Sequence, residues 1–298
     1  MIHGQRKNPN AANKKIYRKL KYGQTEIGRA KTQERKMVII TLLSDFGLSD
    51  GYVASMKGVI LSISPQTKII DISHSIGRHD IVTAAFTLAS VVDYFPDGTI
   101  HLAVVDPEVG TDRRGIIIVS HNSYFVGPDN GVLVPAALRK GIVEVRNISN
   151  DSIVRRRVSM TFHGRDIFAP AAAYMATGIE PQEIGSRIED YVELRIPTPI
   201  IKDGVIRGQI IHEDRFGNLI TNIDREDLKK INVKNLITVE LEGERMTLNL
   251  QPSYGYAEKG VLLATIGGNG LLEISVNRGD AAERTGARKG AKISISVA

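Results

Sequence analysis

Three short apolar runs limit what this chain can fold into: MVIITLL at 37–43, TIHLAVV at 99–105 and GIIIVS at 115–120. Each is short, rich in β-branched residues, and lacks the strict alternation of a half-exposed strand, so each reads as a buried strand. The segments between and around them supply the covering layers. GYVASMKGVILSIS (51–64) reads as a helix closed by Pro65, and TKIIDIS (67–73) as a second strand. Asp80 is suited to cap the next helix, in which Ile81, Ala84, Ala85, Leu88, Val92 and Phe95 share one face. A further helix over 131–139 and a strand over 142–148 follow. This alternation predicts an α/β domain built on a largely parallel sheet with helices on both faces.

The connection between the second and third runs, DPEVGTDRR (106–114), carries more charge than a link between core strands needs. In open α/β sheets ligands bind beyond the carboxyl ends of strands. Asp106 stands at such an end, and Arg113 can fold back toward it. A polar turn with a surface salt bridge explains the same residues equally well unless other groups converge on them. Polar clusters at other element ends are SDFG (44–47), the 74–80 stretch with His74, Arg78, His79 and Asp80, FHGRD (162–166), EDRFGN (213–218) and GGNGLLEISVN (267–277). Taken singly, Asp45 also serves as a helix cap, His163 as a structural histidine and Asn218 as a turn residue. The chain has no His-x-His or His-Glu-x-x-His spacing, which argues against a metal site, and neither a GxGxxG nor a GxxxxGK[ST] loop.

After Pro197-Thr198-Pro199 the pattern changes. Short strands at 205–212, 219–223, 236–241, 245–250, 261–266, 271–277 and 291–297 alternate with Gly and Asn turns, which predicts a small antiparallel barrel or sandwich. The expected division is a basic extension over 1–36, an α/β domain over 37–196 and a β domain over 200–298. Charge separates the first part from the rest. Residues 1–36 hold 11 of the 39 Lys and Arg and two of the 33 Asp and Glu, leaving 28 basic against 31 acidic residues afterwards. The extension reads as mostly disordered, with a short helix near Ile16–Tyr22, and Met37 is an alternative start ahead of the first core strand. A basic tail can bind nucleic acid, but the mildly acidic remainder argues against a nucleic-acid partner. No apolar run approaches the roughly 20 residues of a membrane span. The N-terminus lacks a secretory apolar region, and the absence of cysteine fits a cytoplasmic protein.

Read together, SDFG, IDISHSIGRHDI, VVDPEVGTDRRG, GPDNGVL, TFHGRDIFAPAAA, DRFGNLITNI and LLEISVNRGDAAE resemble, in order and wording, the S-adenosyl-L-methionine (SAM) hydroxide adenosyltransferases. These are adenosine-forming SAM hydrolases, relatives of the SAM-dependent fluorinase and chlorinase. The resemblance runs from Met37 to the C-terminus. It implies an N-terminal α/β domain and a C-terminal β-barrel, a homotrimer with ligand held between subunits, and no cofactor. It places the water-handling triad on Asp106, Arg113 and His163, and the ribose-binding carboxylate on Asp45. It also implies that Asn218 contacts the ligand, Phe216 packs beside the adenine, Asp214 meets the methionine ammonium, and Glu273 and Val276 contact adenine through backbone groups. Two positions depart from the family pattern: Glu108 stands where glycine is usual and Gly268 where serine is common. The implied reaction is attack of water on the ribose C5′, giving adenosine and L-methionine. The rivals are a halogenase, a SAM- or adenosine-binding sensor, and a nucleic-acid binder acting through the tail.

Overall fold

The three apolar runs become strands of one sheet, and their neighbours decide the layering. The computed structural model describes residues 37–194 and 196–298; the disorder and short helix expected in the basic extension lie outside the described residues. The first sheet comprises β1 (Ile39–Ser44), β2 (Lys68–Ser73), β3 (Thr99–Val104), β4 (Gly115–Ser120), β5 (Ser123–Pro128), β6 (Ile142–Asn147) and β7 (Arg187–Ile188), in the order β2-β1-β3-β5-β4-β6-β7. The pairs β1–β2, β1–β3 and β3–β5 are parallel. Direction reverses at β4, which joins β5 as a tight hairpin, and β6 and β7 continue antiparallel.

Helices α1 (Tyr52–Ile63), α2 (Ile81–Val91), α3 (Val134–Lys140) and α4 (Ala169–Thr177) cover this sheet. The pleat sends Ile40 and Leu42 of β1 toward Met56 and Ile60 of α1 and Ala172 of α4. Leu43 goes to the other face, with Ala84 and Leu88 of α2 and Ala136 and Ala137 of α3. A strand buried on both faces needs no polar alternation, which is why these runs are continuously apolar. Asp80 caps α2, accepting from the Thr83 backbone N–H at 3.0 Å. One helix departs from the sequence reading. The one expected from 131 begins at Val134, because residues 131–133 form a turn with Gly131 at φ +90°. The stretch 161–178 is a π-turn over Gly164–Phe168 that runs into α4.

The C-terminal part forms a closed barrel. Its strands are β9 (Val205–Glu213), β10 (Leu219–Asp224), β11 (Leu236–Leu241), β12 (Glu244–Gln251), β13 (Leu262–Ile266), β14 (Leu271–Val276) and β15 (Lys292–Val297), with β8 (Ile200–Lys202) added outside β9. Closure comes from the β10–β9 pairing. The expected antiparallel barrel needs one correction, since β12 and β13 run parallel. They are joined by the excursion through Tyr254–Tyr256 rather than by a hairpin, so the second strand re-enters in the same direction. The barrel interior is aliphatic, with Ile206, Leu219, Val239, Ala264, Ile274 and Ile295 fully buried. Residues Met37–Ala298 form one compact unit. Among the described residues no helix is long and apolar enough to cross a membrane.

Candidate active site

The strand order creates the site. The chain leaves β1 toward β2 on one side and returns to β3 on the other, so the carboxyl ends of β1 and β3 flank the point where the winding reverses. Crevices at such switch points are where open α/β sheets hold ligands. The register pairs Ser44 with Val104, which sets Asp45 and Asp106 just beyond two adjacent strand ends.

Arg113 is the hub. Its Nε donates to Asp106 Oδ1 at 3.1 Å and its Nη2 to Asp106 Oδ2 at 2.7 Å, a bidentate pair. The same Nη2 lies 2.9 Å from His163 Nδ1, and Nη1 donates to the Arg114 carbonyl at 2.7 Å. Both side chains of the ion pair are almost fully buried, at 3% and 5% exposure. The guanidinium also lies over the Phe168 ring, 5.2 Å from its centre. The 106–114 loop reaches the 159–163 segment because Gly110, at φ +82°, lets the backbones touch; a Cβ there would stand 2.2 Å from the Met160 carbonyl oxygen. Thus Asp106, Arg113 and His163 do converge, and the surface-salt-bridge alternative fails on burial.

The hydrogen-bond pattern fixes the state of His163. A guanidinium has only donors, so His163 Nδ1 is the acceptor and the neutral ring carries its proton on Nε2. Burial, and then the charge of Arg113, hold its pKa below the usual 6.5, against the opposing pull of Asp106 and Asp166. Burial raises the Asp106 carboxyl above its ordinary range, opposed by Arg113 and His163. Behind the triad, the Arg114 Nη2 donates to the buried Asp129 at 2.7 Å, and the Asp129 backbone N–H donates to the Arg114 carbonyl at 2.9 Å. The carbonyl that steadies Arg113 is therefore itself fixed. Asp166, wholly buried, takes two bonds from Arg165 and the Ser159 N–H at 2.8 Å, and these brace the turn that presents His163.

Asp45 stands beside this group. Its Oδ2 accepts the His79 backbone N–H at 2.9 Å. Upstream, Ser44 Oγ and the buried His74 Nδ1 are 2.8 Å apart, so His74 is a packed structural residue. Phe46, Tyr52 and Phe162 form a cluster of edge-on and tilted rings, with centres 5.2–5.9 Å apart. Phe46 and Phe162 lie inside SDFG and FHGRD, but the sequence holds no local signal that these rings meet.

The C-terminal residues form a second group. Asp214 closes its own turn: Oδ1 accepts the N–H groups of Phe216 (2.8 Å) and Asn218 (2.9 Å), and Oδ2 accepts the Asn218 side-chain amide at 2.8 Å. Asn218 is buried while Phe216 is exposed. Glu273 and Val276 lie on β14, which is paired with both β10 and β13. The buried Glu273 accepts the Tyr254 hydroxyl at 2.7 Å. Burial raises its pKa, eased by that hydroxyl and reinforced by Asp214, while burial and then Glu273 push the Tyr254 phenol above its ordinary range. Tyr254 is not among the residues the sequence singles out, since its contact with Glu273 joins positions nineteen residues apart. Glu108 is exposed and its carbonyl accepts the Thr111 N–H and hydroxyl, so the loop closes through backbone. A Cβ at Gly268 would meet nothing within 4 Å, so a serine fits there.

Among the described residues, no hydrogen bond or ion pair joins the Asp45–Asp106–Arg113–His163 group to the Asp214–Asn218–Glu273 group. No group of three or more His, Cys, Asp or Glu that could hold a metal ion is found among them either.

Comparison with known proteins bears on both groups. The model of the SAM hydroxide adenosyltransferase N-terminal domain matches residues 40–185, and that of the C-terminal domain matches 208–294. The chain is 34% identical over 262 residues to an (R)-S-adenosyl-L-methionine hydrolase from Salinispora tropica, spanning 87% of this chain and 97% of that protein. It is 26% identical over 297 residues to a fluorinase from Nocardia brasiliensis, spanning 89% and 99%. The crystal structure of an uncharacterized conserved protein from Thermotoga maritima superposes with a TM-score of 0.83 at 35% identity, covering 86% of this chain and 99% of that one. With both domain models matched in order, one on each sheet, the chain belongs to the SAM hydroxide adenosyltransferase family.

Proposed function

We propose that this protein hydrolyses SAM, with water or hydroxide attacking the ribose C5′ to release adenosine and L-methionine. The observation that carries this reading is the buried, Arg113-centred triad at the switch point of a chain in this family. The sulfonium is already a good leaving group, so the protein need not protonate it. What it must do is hold a water in line with C5′, about 3 Å away. His163 donates from Nε2–H and orients that water; with Nδ1 engaged by Arg113, it is a donor rather than a base. Arg113 stabilises hydroxide character as it develops, in a site where water is scarce and charge interactions are strong. Asp106 holds Arg113 in place and, having a lone pair left over from its hydrogen bonds, accepts the released proton. The C5′–O bond forms as the C5′–S bond breaks, and the electron pair of the latter becomes the thioether lone pair of methionine.

Asp45 takes the ribose hydroxyls, Asn218 and Asp214 the ligand's polar groups, and Phe216 with the Glu273–Val276 strand the adenine. Since the two groups are not bridged within one chain, we assign the complete site to a homotrimer in which a neighbouring copy supplies the second group. The exposed Leu48, Met160, Phe216 and Tyr256 support this, because apolar groups of this size at both half-sites are suited to burial against a partner. The division near Pro197–Pro199, a cytoplasmic location and the absence of any cofactor belong to the same reading.

The halogenase alternative is disfavoured by Asp106, since a carboxylate repels a halide. Incubating SAM with the protein in ¹⁸O-labelled water, followed by chromatography and mass spectrometry, separates the cases. Adenosine carrying the label at the 5′ oxygen supports hydrolysis. A 5′-halo product formed only with added halide, or intact SAM, overturns it.

A further inference from the structure

The turn that holds Asp45 is strained, and a residue of the barrel braces it. His79 sits at φ +62°, a left-handed conformation that side chains other than glycine rarely adopt. Such a conformation persists where its surroundings over-determine it. On one side the His79 N–H is held by Asp45 Oδ2. On the other, the adjacent Asp80 carboxylate is gripped by Lys289 Nζ, at 2.5 Å from each oxygen, and the same ammonium lies 2.8 Å from the Thr83 hydroxyl. Thr83 closes the triangle by donating its hydroxyl to Asp80 at 2.6 Å and its backbone N–H at 3.0 Å. Burial raises the Asp80 carboxyl, but the bonds from Lys289 and Thr83 hold it below its ordinary range.

Lys289 is well placed to act as a fixed point. The loop that carries it is tied to β9: Gly290 N–H donates to the Ile210 carbonyl at 2.8 Å, and the Ile210 N–H to the Ala291 carbonyl at 2.9 Å. The same strand packs on α2, with His212 against Phe86 at 5.0 Å between ring centres, and Ile211 in one apolar cluster with Phe86 and Ile220. The barrel therefore meets α2 through an apolar patch on the helix and an ionic clamp at its first turn. That first turn begins where His79 ends.

We infer that Lys289 is a positioning residue for ligand binding: by clamping Asp80 it keeps the His79 turn in its strained form and so holds Asp45 oriented toward the ribose. Asp80 retains its Thr83 bonds without Lys289, so α2 stays capped and the fold survives its loss. What is lost is the second anchor of the turn. His79 can then relax, and its N–H no longer fixes Asp45. The effect falls on affinity rather than on the chemical step, because none of Asp106, Arg113 and His163 touches the clamp. This inference rests on the assignment of Asp45 to the ribose made above.

The test is adenosine affinity by calorimetry, with SAM turnover in parallel, for the wild-type chain, Lys289→Gln, Lys289→Arg, His79→Gly and the His79→Gly/Lys289→Gln double variant. An ion pair of this partial exposure is worth little, so Lys289→Gln is expected to weaken adenosine binding and raise KM by roughly fivefold or less, with kcat retained. Lys289→Arg should restore affinity. Glycine adopts the left-handed conformation without strain, so in the His79→Gly background the Lys289→Gln change should have a much smaller effect. Adenosine is uncharged, which gives a second measurement that needs no variant to fold. Raising ionic strength should weaken its binding to the wild-type protein, because the partly exposed clamp is screened while the buried triad is not. If the wild type binds adenosine and neither Lys289→Gln nor added salt changes that affinity, the positioning role is overturned and the hydrolase reading stands. If the wild type neither binds adenosine nor consumes SAM, the hydrolase reading itself has failed.

Discussion

Replacing Arg113 by lysine keeps the positive charge and removes the fork, and the geometry says what should follow. Arg113 makes four polar contacts: two to Asp106, one to His163 and one to the Arg114 carbonyl. An ammonium is a point charge without the planar spacing that grips both carboxylate oxygens and the imidazole at once. If it keeps one contact to Asp106, the bond that selects the His163 tautomer is lost along with one carboxylate bond. Hydrogen bonds to charged groups contribute about 1.5–3 kcal/mol each, and removing one preorganised donor from an active site commonly lowers kcat by about 10²–10³. The expectation for Arg113→Lys is therefore a fall in kcat of about 10²–10³. Stability should drop by about 1–2 kcal/mol, because Asp106 stays buried with an imperfect partner. Adenosine affinity should move by less than about twofold if, as proposed, Arg113 serves the water rather than the ligand. Steady-state SAM turnover, calorimetric adenosine binding and thermal unfolding measure the three quantities. A variant that melts earlier yet keeps kcat within about threefold of wild type would show that Arg113 is a structural strut, and the magnitude assigned to it here would be wrong.

Asp45→Ala should behave differently in kind, weakening adenosine binding as well as turnover, because the role proposed for Asp45 is to accept charge-assisted hydrogen bonds from the ligand itself; normal affinity in calorimetry would remove Asp45 from the ribose. The fully buried His101, stacked on Phe125 and paired with Thr41, has its pKa driven down to about 3 by burial, reinforced by Lys140. It stays neutral in the folded state while the unfolded chain takes up a proton below pH 6.5, so stability falls as pH drops from 6.5 toward 3, by about 1.4 kcal/mol per unit. Urea unfolding across that range should lose about one proton of slope in His101→Gln, and an unchanged slope counts against the assignment. Light scattering should find a trimer, and a chain starting at Met37 should form it and turn over SAM as well as the full chain does; a fully active monomer refutes the shared site.

The division between sequence and tertiary structure follows from how far each signal reaches. The amino-acid order by itself determined the elements and the residue types at their ends. Short, continuous runs rich in β-branched residues read as strands covered on both faces, and Asp80 before an apolar face reads as a cap, because burial period and capping are set within a few residues. The seven strands of the barrel were legible from alternation and turns for the same reason, and Asp45, Asp106, Arg113, His163 and the EDRFGN turn were legible as chemistry-bearing residues at element ends.

What lay beyond the sequence is everything that depends on pairing between distant segments. The reversal of direction at β4 and the parallel β12–β13 pair depend on which strands meet, and no local pattern encodes that. The contact of Arg113 with His163, fifty residues apart, exists because Gly110 lets two loops touch backbone to backbone. Only that contact puts the imidazole proton on Nε2 and makes His163 a donor. The grip of Lys289 on Asp80, more than two hundred residues away and next to the left-handed His79, likewise exists only where the barrel packs on α2. Local burial and capping energies select elements, whereas register, tautomer and strain are decided by contacts that form only when those elements are packed together.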